Sequence, residues 1–482
     1  MPTGSETGEP AAGPRASWSL SPGRLLALFC CMELLVYIDR GVMSSNGVLG
    51  SLSPQRGVQG DFHLTLPQLG LLPGAFMLGL LIASPLFAKA SEHFSGLRLI
   101  ACGLGIWALA AAGCGLSIGF YSLLLCRMVV GVGEASFVAL AAPFIDDSAP
   151  QASKTRWLAT FYVCIPSGYA LGYLIGGSIA VPLGWRAPFL LEACIMLPFL
   201  ILLVLLPPIK LAGRPAIRLK MKSGQQTGCL GRLESLMPVV FQVLREVGVL
   251  LQHPVYVILV LAYSIYTAVI GAYAFLGPKA GTETFKVPGS TSDYVFGGVT
   301  VLTGAAGTLA GGFVLDYLGS TIANAMVLCG ICCIVGGGFV IAAFALTPTL
   351  ATFVAPFALG ELGLFALQAP VNAVSLWSVP KALRPLAMSL SVVVIHLLGD
   401  VPSPALLGWL QDRLLNWRLS MSIATATLAG AGALFFVGAW VSGKYPDYRK
   451  EDDAEGGDAE ESTGQHAALL SNGNEEAGPE HL

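Results

Sequence analysis

The sequence predicts an all-α membrane protein of twelve transmembrane helices arranged as two six-helix halves. Three observations lead there. Of the 482 residues, 54% are hydrophobic and only 11% are charged, against about a quarter charged in soluble proteins; the mean hydropathy is +0.71. Apolar runs of about 20 residues, the length that crosses a bilayer, recur twelve times along the chain. A long basic stretch then divides those runs six and six.

The runs lie at about 25–49, 67–88, 97–117, 120–142, 157–181 and 188–208 in the first half. Those of the second half lie at about 254–277, 294–315, 322–345, 350–373, 385–410 and 420–441. The chain therefore divides into a polar, Pro/Gly-rich N-tail (1–23), a first half (24–208), a basic middle segment (209–253), a second half (254–441) and an acidic C-tail (442–482). Both tails are too polar to bury a core and are expected to be disordered. The stretch from Leu233 to Leu251 is amphipathic and is expected to lie along the membrane surface. No cleavable leader is expected, because the first apolar run is itself long enough to span.

Orientation follows from basic residues. With both termini on one side, the segments on that side hold eighteen of the 26 Lys and Arg, the opposite loops hold six, and Arg40 and Arg127 lie within spans. The positive-inside rule then puts both tails in the cytosol. The net charge of −3 and the lack of a basic block give no reason to expect nucleic acid. The eleven cysteines are scattered, and the Cys329–Cys332 pair stands in the middle of a span, so no metal and no cofactor are expected. Enzyme motifs are missing: there is no HExxH and no GxSxG, and Gly438 to Lys444 starts like a phosphate loop only for Tyr445 to replace its Ser/Thr. No catalytic residue is expected.

A charge in the hydrocarbon core costs at least ~2.5–3.5 kcal/mol and therefore faces a cavity or a partner. Eight such residues are the candidates: Glu33, Asp39 and Arg40 in span 1, Arg127 and Glu134 in span 4, Glu361 in span 10, His396 and Asp400 in span 11. Arg127 and Glu134 share a face two turns apart, about 10 Å, too far to pair with each other. Each must reach a neighbouring helix, and the expected pairs are Arg40 with Glu134 and Asp39 with Arg127. Burial favours a carboxyl's neutral form and a facing arginine its charged form. Such a pair changes its proton affinity when helices rearrange, so Asp39, Arg40, Arg127 and Glu134 are candidates for proton coupling, and a purely structural ion-pair network is the alternative. His396 and Asp400, four apart on one face, are candidates for a proton relay, or else for a hydrogen-bonded prop in a helix broken by Pro402 and Pro404. In span 5, Gly168, Gly172 and Gly176 form a flat stripe for close packing, with a gating hinge as the alternative.

After span 8 stands Gly312-Phe-Val-Leu-Asp316-Tyr-Leu-Gly319. It resembles the G-x-x-x-D-x-x-G inner-gate loop of the major facilitator superfamily, in which a carboxylate sits near a helix N-terminus; Asp316 and Gly319 are its candidates here. The equivalent loop after span 2, Lys89 to Arg98, keeps the length but sets its acid, Glu92, out of register. Further strings resemble the spinster family within that superfamily, most closely its plant members. They are Tyr37 to Gly41, Ser45 to Val48, Leu80 to Pro85, Arg127 to Glu134 continuing to Asp147, Ile165 to Gly168, Ala369 to Asn372, and His396 to Pro404. The resemblance covers residues 24–441 and implies a carrier of lysophospholipids or sphingoid lipids, with Asp39–Arg40 and Arg127/Glu134 matching the family's charged pairs and proton coupling proposed for some members. Glu33 and Val36 depart from the asparagines of that pattern, and Glu33 is an additional carboxylate near Arg40.

The expected function is secondary active transport of such a lipid, coupled to protons, by a protein acting as a monomer. The charges would hold the head group, and Gly- and Phe-rich faces such as those of Phe296 and Phe365 would take the tail. A carrier of small polar metabolites and a receptor or scaffold without transport are the alternatives, since a fold does not select a substrate. The family resemblance implies a late endosomal, lysosomal or vacuolar membrane, with the plasma membrane as the other possibility; Gln465 to Leu470 resembles a dileucine sorting signal.

Overall fold

The structure, a computed structural model, describes residues 21–91, 94–150, 154–206, 245–380 and 383–448. Among the described residues, twelve long helices make up the bundle: α1 (Pro22–Ser44), α2 (Leu66–Ala90), α3 (Gly96–Gly115), α4 (Phe120–Ser148), α5 (Lys154–Leu183), α6 (Arg186–Leu205), α7 (Pro254–Phe285), α8 (Gly289–Tyr317), α9 (Ile322–Leu346), α10 (Leu350–Trp377), α11 (Leu386–Leu414) and α12 (Trp417–Ser442). Among the described residues, eleven are long and apolar enough to cross a membrane. The twelfth is α1, of comparable length, whose Glu33, Asp39 and Arg40 lower its hydropathy but turn into the bundle. Residues 245–250 of the amphipathic segment are helical. Residues 209–244 of the middle segment, most of both tails, Glu92 and the Gln465–Leu470 string lie outside the described residues, as do the side chains of Asp146 and Asp147.

Helix starts are written locally. Thr65 caps α2 in a reciprocal box with Gln68, and Thr321, Thr349 and Asn416 accept backbone N–H bonds at the starts of α9, α10 and α12; each cap satisfies a donor that the helix leaves free. Pro67 and Pro254 stand in first turns, where no N–H is lost. Gly319 joins α8 to α9 at φ +93°, a left-handed conformation that glycine adopts without strain. Two spans carry π turns, at Cys332–Gly336 in α9 and His396–Asp400 in α11.

Several boundaries differ from the sequence expectation. Span 1 stops at Ser44, where Ser45 is extended and caps a separate helical turn, Asn46–Leu49. A two-stranded hairpin, β1 (Ser51–Leu52) with β2 (Gln55–Arg56), follows. Helices α7 and α8 run past their apolar cores, so Lys279 lies inside α7 rather than in a loop, and Asp293 lies inside α8.

The two halves repeat one packing scheme. Helices α1 and α5, α2 and α4, α3 and α4, and α3 and α6 pack together in the first half; α7 and α11, α8 and α10, α9 and α10, and α9 and α12 repeat those pairs in the second. The halves meet through α2 against α11 and α5 against α8, contacts that exchange under the same repeat. The polarity is that of a membrane bundle: Leu109, Leu205, Leu302 and Phe313 are exposed on the outside, while Asp39, Arg127, Glu134 and Glu192 are buried.

Candidate functional site

Glycine sets how closely the first-half helices approach. A methyl group on Gly41 of α1 would collide with the Tyr169 carbonyl and with Gly172 of α5. One on Gly168, Gly172 or Gly176 would collide with Tyr37, with the Ile38 carbonyl and with Ser45, respectively. The predicted glycine stripe is thus the seat of α1. A methyl on Gly131 would strike α2 at the Phe76 carbonyl, and one on Gly133 would strike α3 at Trp107. These contacts seat α1 on α5, and α4 on α2 and α3.

On the charged faces of α1 and α4 the structure brings together both expected pairs. Arg127 donates from one Nη to both oxygens of Asp39, at 2.8 Å each. Arg40 donates to Glu134, and its guanidinium carbon stands 4.4 Å from the Tyr37 ring centre and 4.6 Å from that of Phe76, between the two faces. Such cation–π contacts hold a desolvated guanidinium in place. Asp39 and Glu134 are fully buried, whereas Arg40 keeps 11% of its surface. Glu33 is buried on the same face of α1, with Oε2 lacking a partner, and Arg40 gives its hydrogen bond to Glu134 rather than to Glu33.

The sequence reading passed over Glu192, although it stands within the apolar run 188–208 and that position was itself the signal. It is buried on α6, with neither oxygen hydrogen-bonded to a donor among the described residues. Tyr169 of α5 was also missed, because its string drew attention for its glycines; its ring centre is 5.8 Å from that of Tyr37.

A cavity lies between the two halves. Asp39, Arg40, Phe76, Arg127 and Tyr169 line it from the first half, and Gly271, Phe275 and Asp400 from the second. His396 Nδ1 and Asp400 Oδ2 are 2.7 Å apart across the π turn, so the two side chains pair, and Asp400 reaches the cavity. The π turn re-aims Asp400 toward α7, where a methyl on Gly271 would meet its carboxylate. Pro402 and Pro404 follow at the start of the last segment of α11. Glu361 does not join this cluster. It accepts from Thr303 at 3.0 Å and from Thr300 at 3.2 Å, inside the second half. Phe296 is also a correction: its ring is buried in a cluster with Phe353 and Phe357, so it is core and not a surface for a lipid tail. Phe365 is half-buried over Gly304 and Gly307 of α8.

The halves are latched at the end of the bundle away from the chain termini. The Asn46 backbone and side-chain amides donate to Asp293, at 2.8–3.1 Å, and Lys279 Nζ donates to the Gly50 carbonyl. Gly70 sits on Pro404–Ala405 and Gly408 on Leu66. At the other end, Asp316 is exposed and accepts from Ser320 at 2.9 Å, four residues along its own loop.

Comparison with known proteins matches this architecture. The Major Facilitator Superfamily model matches residues 30–404. The chain is 46% identical over 440 residues to an Arabidopsis thaliana protein named "Probable sphingolipid transporter spinster homolog 2", covering 88% of each chain. It is 30% identical over 416 residues to "Protein spinster homolog 3" of Homo sapiens, covering 81% of this chain and 76% of that one. A solved bacterial homologue of the human lysosomal transporter spinster, inward-facing and unoccupied, superposes with a TM-score of 0.71 at 20% identity, over 87% of this chain and 97% of that one. A D-xylose–proton symporter superposes with a TM-score of 0.61 at 18% identity, over 88% and 98%, which shows a shared fold. The chain thus belongs to the Major Facilitator Superfamily, a superfamily of transporters and not of enzymes, and within it to the spinster family.

Proposed function

We propose that this protein moves a lipid of the sphingolipid or lysophospholipid class across its membrane by alternating access, coupled to protons. The observation that carries the reading is the cavity between the halves, which presents Arg40 and Arg127 beside Asp39 and Asp400. A lysolipid or sphingoid head group carries phosphate, ammonium or both, and this wall offers a partner to each. Phe76, Phe275, Met43 and Met77 supply an apolar lining next to the charges. The Arabidopsis relatives named as sphingolipid transporters support the same substrate class.

Coupling rests on the ion pairs. A proton arriving at Asp39 or Glu134 cancels the negative partner of a buried arginine and frees that arginine for an anionic head group. Loss of the proton restores the pair and expels the lipid. Asp400 and His396 pass protons on the opposite wall, and Asp316 with Gly319 belongs to the gate at the terminal end. In this reading both tails are cytosolic, the protein works as a monomer, and it resides in a late endosomal, lysosomal or vacuolar membrane whose acidic lumen supplies the gradient.

The test is uptake of a labelled lysophospholipid or sphingoid base into liposomes holding the purified protein, with and without a pH gradient, beside Glu134→Gln. Gradient-driven uptake that disappears in Glu134→Gln is the expected result. Uptake indifferent to both would keep the substrate and remove the coupling. Folded protein that carries no lipid would overturn the substrate class.

A further inference from the structure

The four charged side chains that line the cavity differ in what holds them. Both arginines are already engaged within the first half: Arg40 donates to Glu134, and Arg127 donates to both oxygens of Asp39. A lipid phosphate would have to displace a buried carboxylate from its arginine, and parting a buried pair strands a charge. Asp400, on the second-half wall, is built otherwise. Its ion-pair partner is His396, four residues back on the same helix, rather than an arginine. Its side chain keeps 13% of its surface, whereas that of Asp39 is fully buried. The π turn and the bare Cα of Gly271 on α7 make room for it, since a methyl on Gly271 would stand 2.7 Å from Oδ1. Each lining arginine is thus answered by a carboxylate of its own half. Asp400 is the lining charge whose partner, among the described residues, is neither arginine nor lysine.

We propose that Asp400 is the ammonium subsite of the carrier: it takes the charged primary amine of the lipid head group, and a lipid without such an amine is a poor ligand even when it carries a phosphate. The assignment rests on the lipid-carrier reading above and narrows its substrate class to long-chain amines. Oδ2 is the oxygen that meets His396, which leaves Oδ1 to accept an N–H of the lipid. A hydrogen bond between two charged groups is stronger than one between neutral groups, and here it costs no existing pair with an arginine. Tyr169 and Phe275 line the same cavity, and the face of an aromatic ring attracts an ammonium. The second half therefore selects the head group by charge, while the first half keeps its own charges paired.

The experiment is equilibrium binding of a tritiated sphingoid base to the purified full-length protein in detergent, at one neutral pH and with no gradient, so that coupling plays no part. The competitors are the N-acetylated base, which has no charge, and a lysophosphatidic acid of equal tail length, which has a phosphate and no amine. The free base is expected to bind more tightly than either by about tenfold to a hundredfold, the worth of one hydrogen bond to a charged group. Asp400→Asn keeps the side chain's shape and should bring the free base down to the level of the N-acetylated one, whose own binding stays unchanged. Gly271→Ala keeps the acid but pushes it aside, and should narrow the same ratio in part; it decides the matter should Asp400→Asn fail to fold. A ratio that is the same in the wild type and in folded Asp400→Asn would overturn the assignment, as would lysophosphatidic acid binding as tightly as the free base. Lipids that bind alike with and without the amine would leave the lipid-carrier reading standing and remove only this subsite. Protein that unfolds cooperatively on heating yet binds none of the three would overturn both.

Discussion

The two halves are built on one plan of helix pairing but fill their interiors with different chemistry. In the first half, α1 and α4 face each other through Arg40–Glu134 and Arg127–Asp39, with Glu33 and Glu192 also buried in that half. In the second half, the corresponding region of α7, α8, α9 and α10 holds a cluster of rings, Tyr273, Phe296, Phe344, Phe353 and Phe357, with centres 4.7–6.4 Å apart. A half-buried acid there, Glu361, is served by threonine hydroxyls instead of an arginine. An ion pair has two stable arrangements, paired or protonated and apart. A ring cluster has one. The difference teaches that a duplicated scaffold can place a titratable switch in one half and a rigid body in the other.

Substitutions can break or sharpen that contrast. The largest effects are expected from Arg127→Leu and Phe353→Ala. The first strands a buried acid and should cost about 3–5 kcal/mol; the second opens a cavity and should cost a similar ~3–5 kcal/mol. Thermal unfolding in detergent measures both. Only Arg127→Leu should also change the pH dependence of uptake, and an equal change in Phe353→Ala would end the comparison. Next comes the charge exchange at the Arg40–Glu134 pair. Arg40→Glu and Glu134→Arg should each lose most gradient-driven uptake, and the double variant should recover part of it; a double variant as dead as the singles would mean that the pair acts through something other than its mutual charge. Gly172→Leu overpacks the α1–α5 seat and should lower stability by about 1–3 kcal/mol. Insensitivity there would mean that these helices part easily. Smallest is Thr303→Val, which removes one of the hydroxyl bonds to Glu361 at a cost of about 1 kcal/mol and should leave the pH profile unmoved.

Much of the cluster was legible because a charge inside an apolar run needs a partner. Helical periodicity placed Arg127 and Glu134 on one face yet out of mutual reach, and that sufficed to expect both cross-helix pairs. Glu192 was equally legible by the same rule and was overlooked. Lys279 and Asp293 were harder. They flank the apolar runs, and hydropathy ends a span where polar residues begin, even though the helices continue and bury them. Their partners, Asn46 and the Gly50 carbonyl, lie more than 200 residues away, and no local pattern encodes such a contact. Phe296 failed for the converse reason: an aromatic residue on a membrane helix reads alike whether it faces lipid or protein.

Composition and periodicity by themselves determined that this chain is a helical bundle in a membrane, where its spans lie, and which residues stand out as costly inside it. Lipid selects helices by requiring every backbone group to be satisfied within its own segment, so span positions are a local property. Tertiary structure alone decided which faces meet. The repeat, faint in the degenerate loop after span 2, is plain in the helix pairs; the cavity and the latch at one end exist only once helices distant in sequence are brought together. The reason is that the energy of a buried charge depends on what lies within a few ångströms of it, and for Asp39, Arg127 and Glu134 that is another helix.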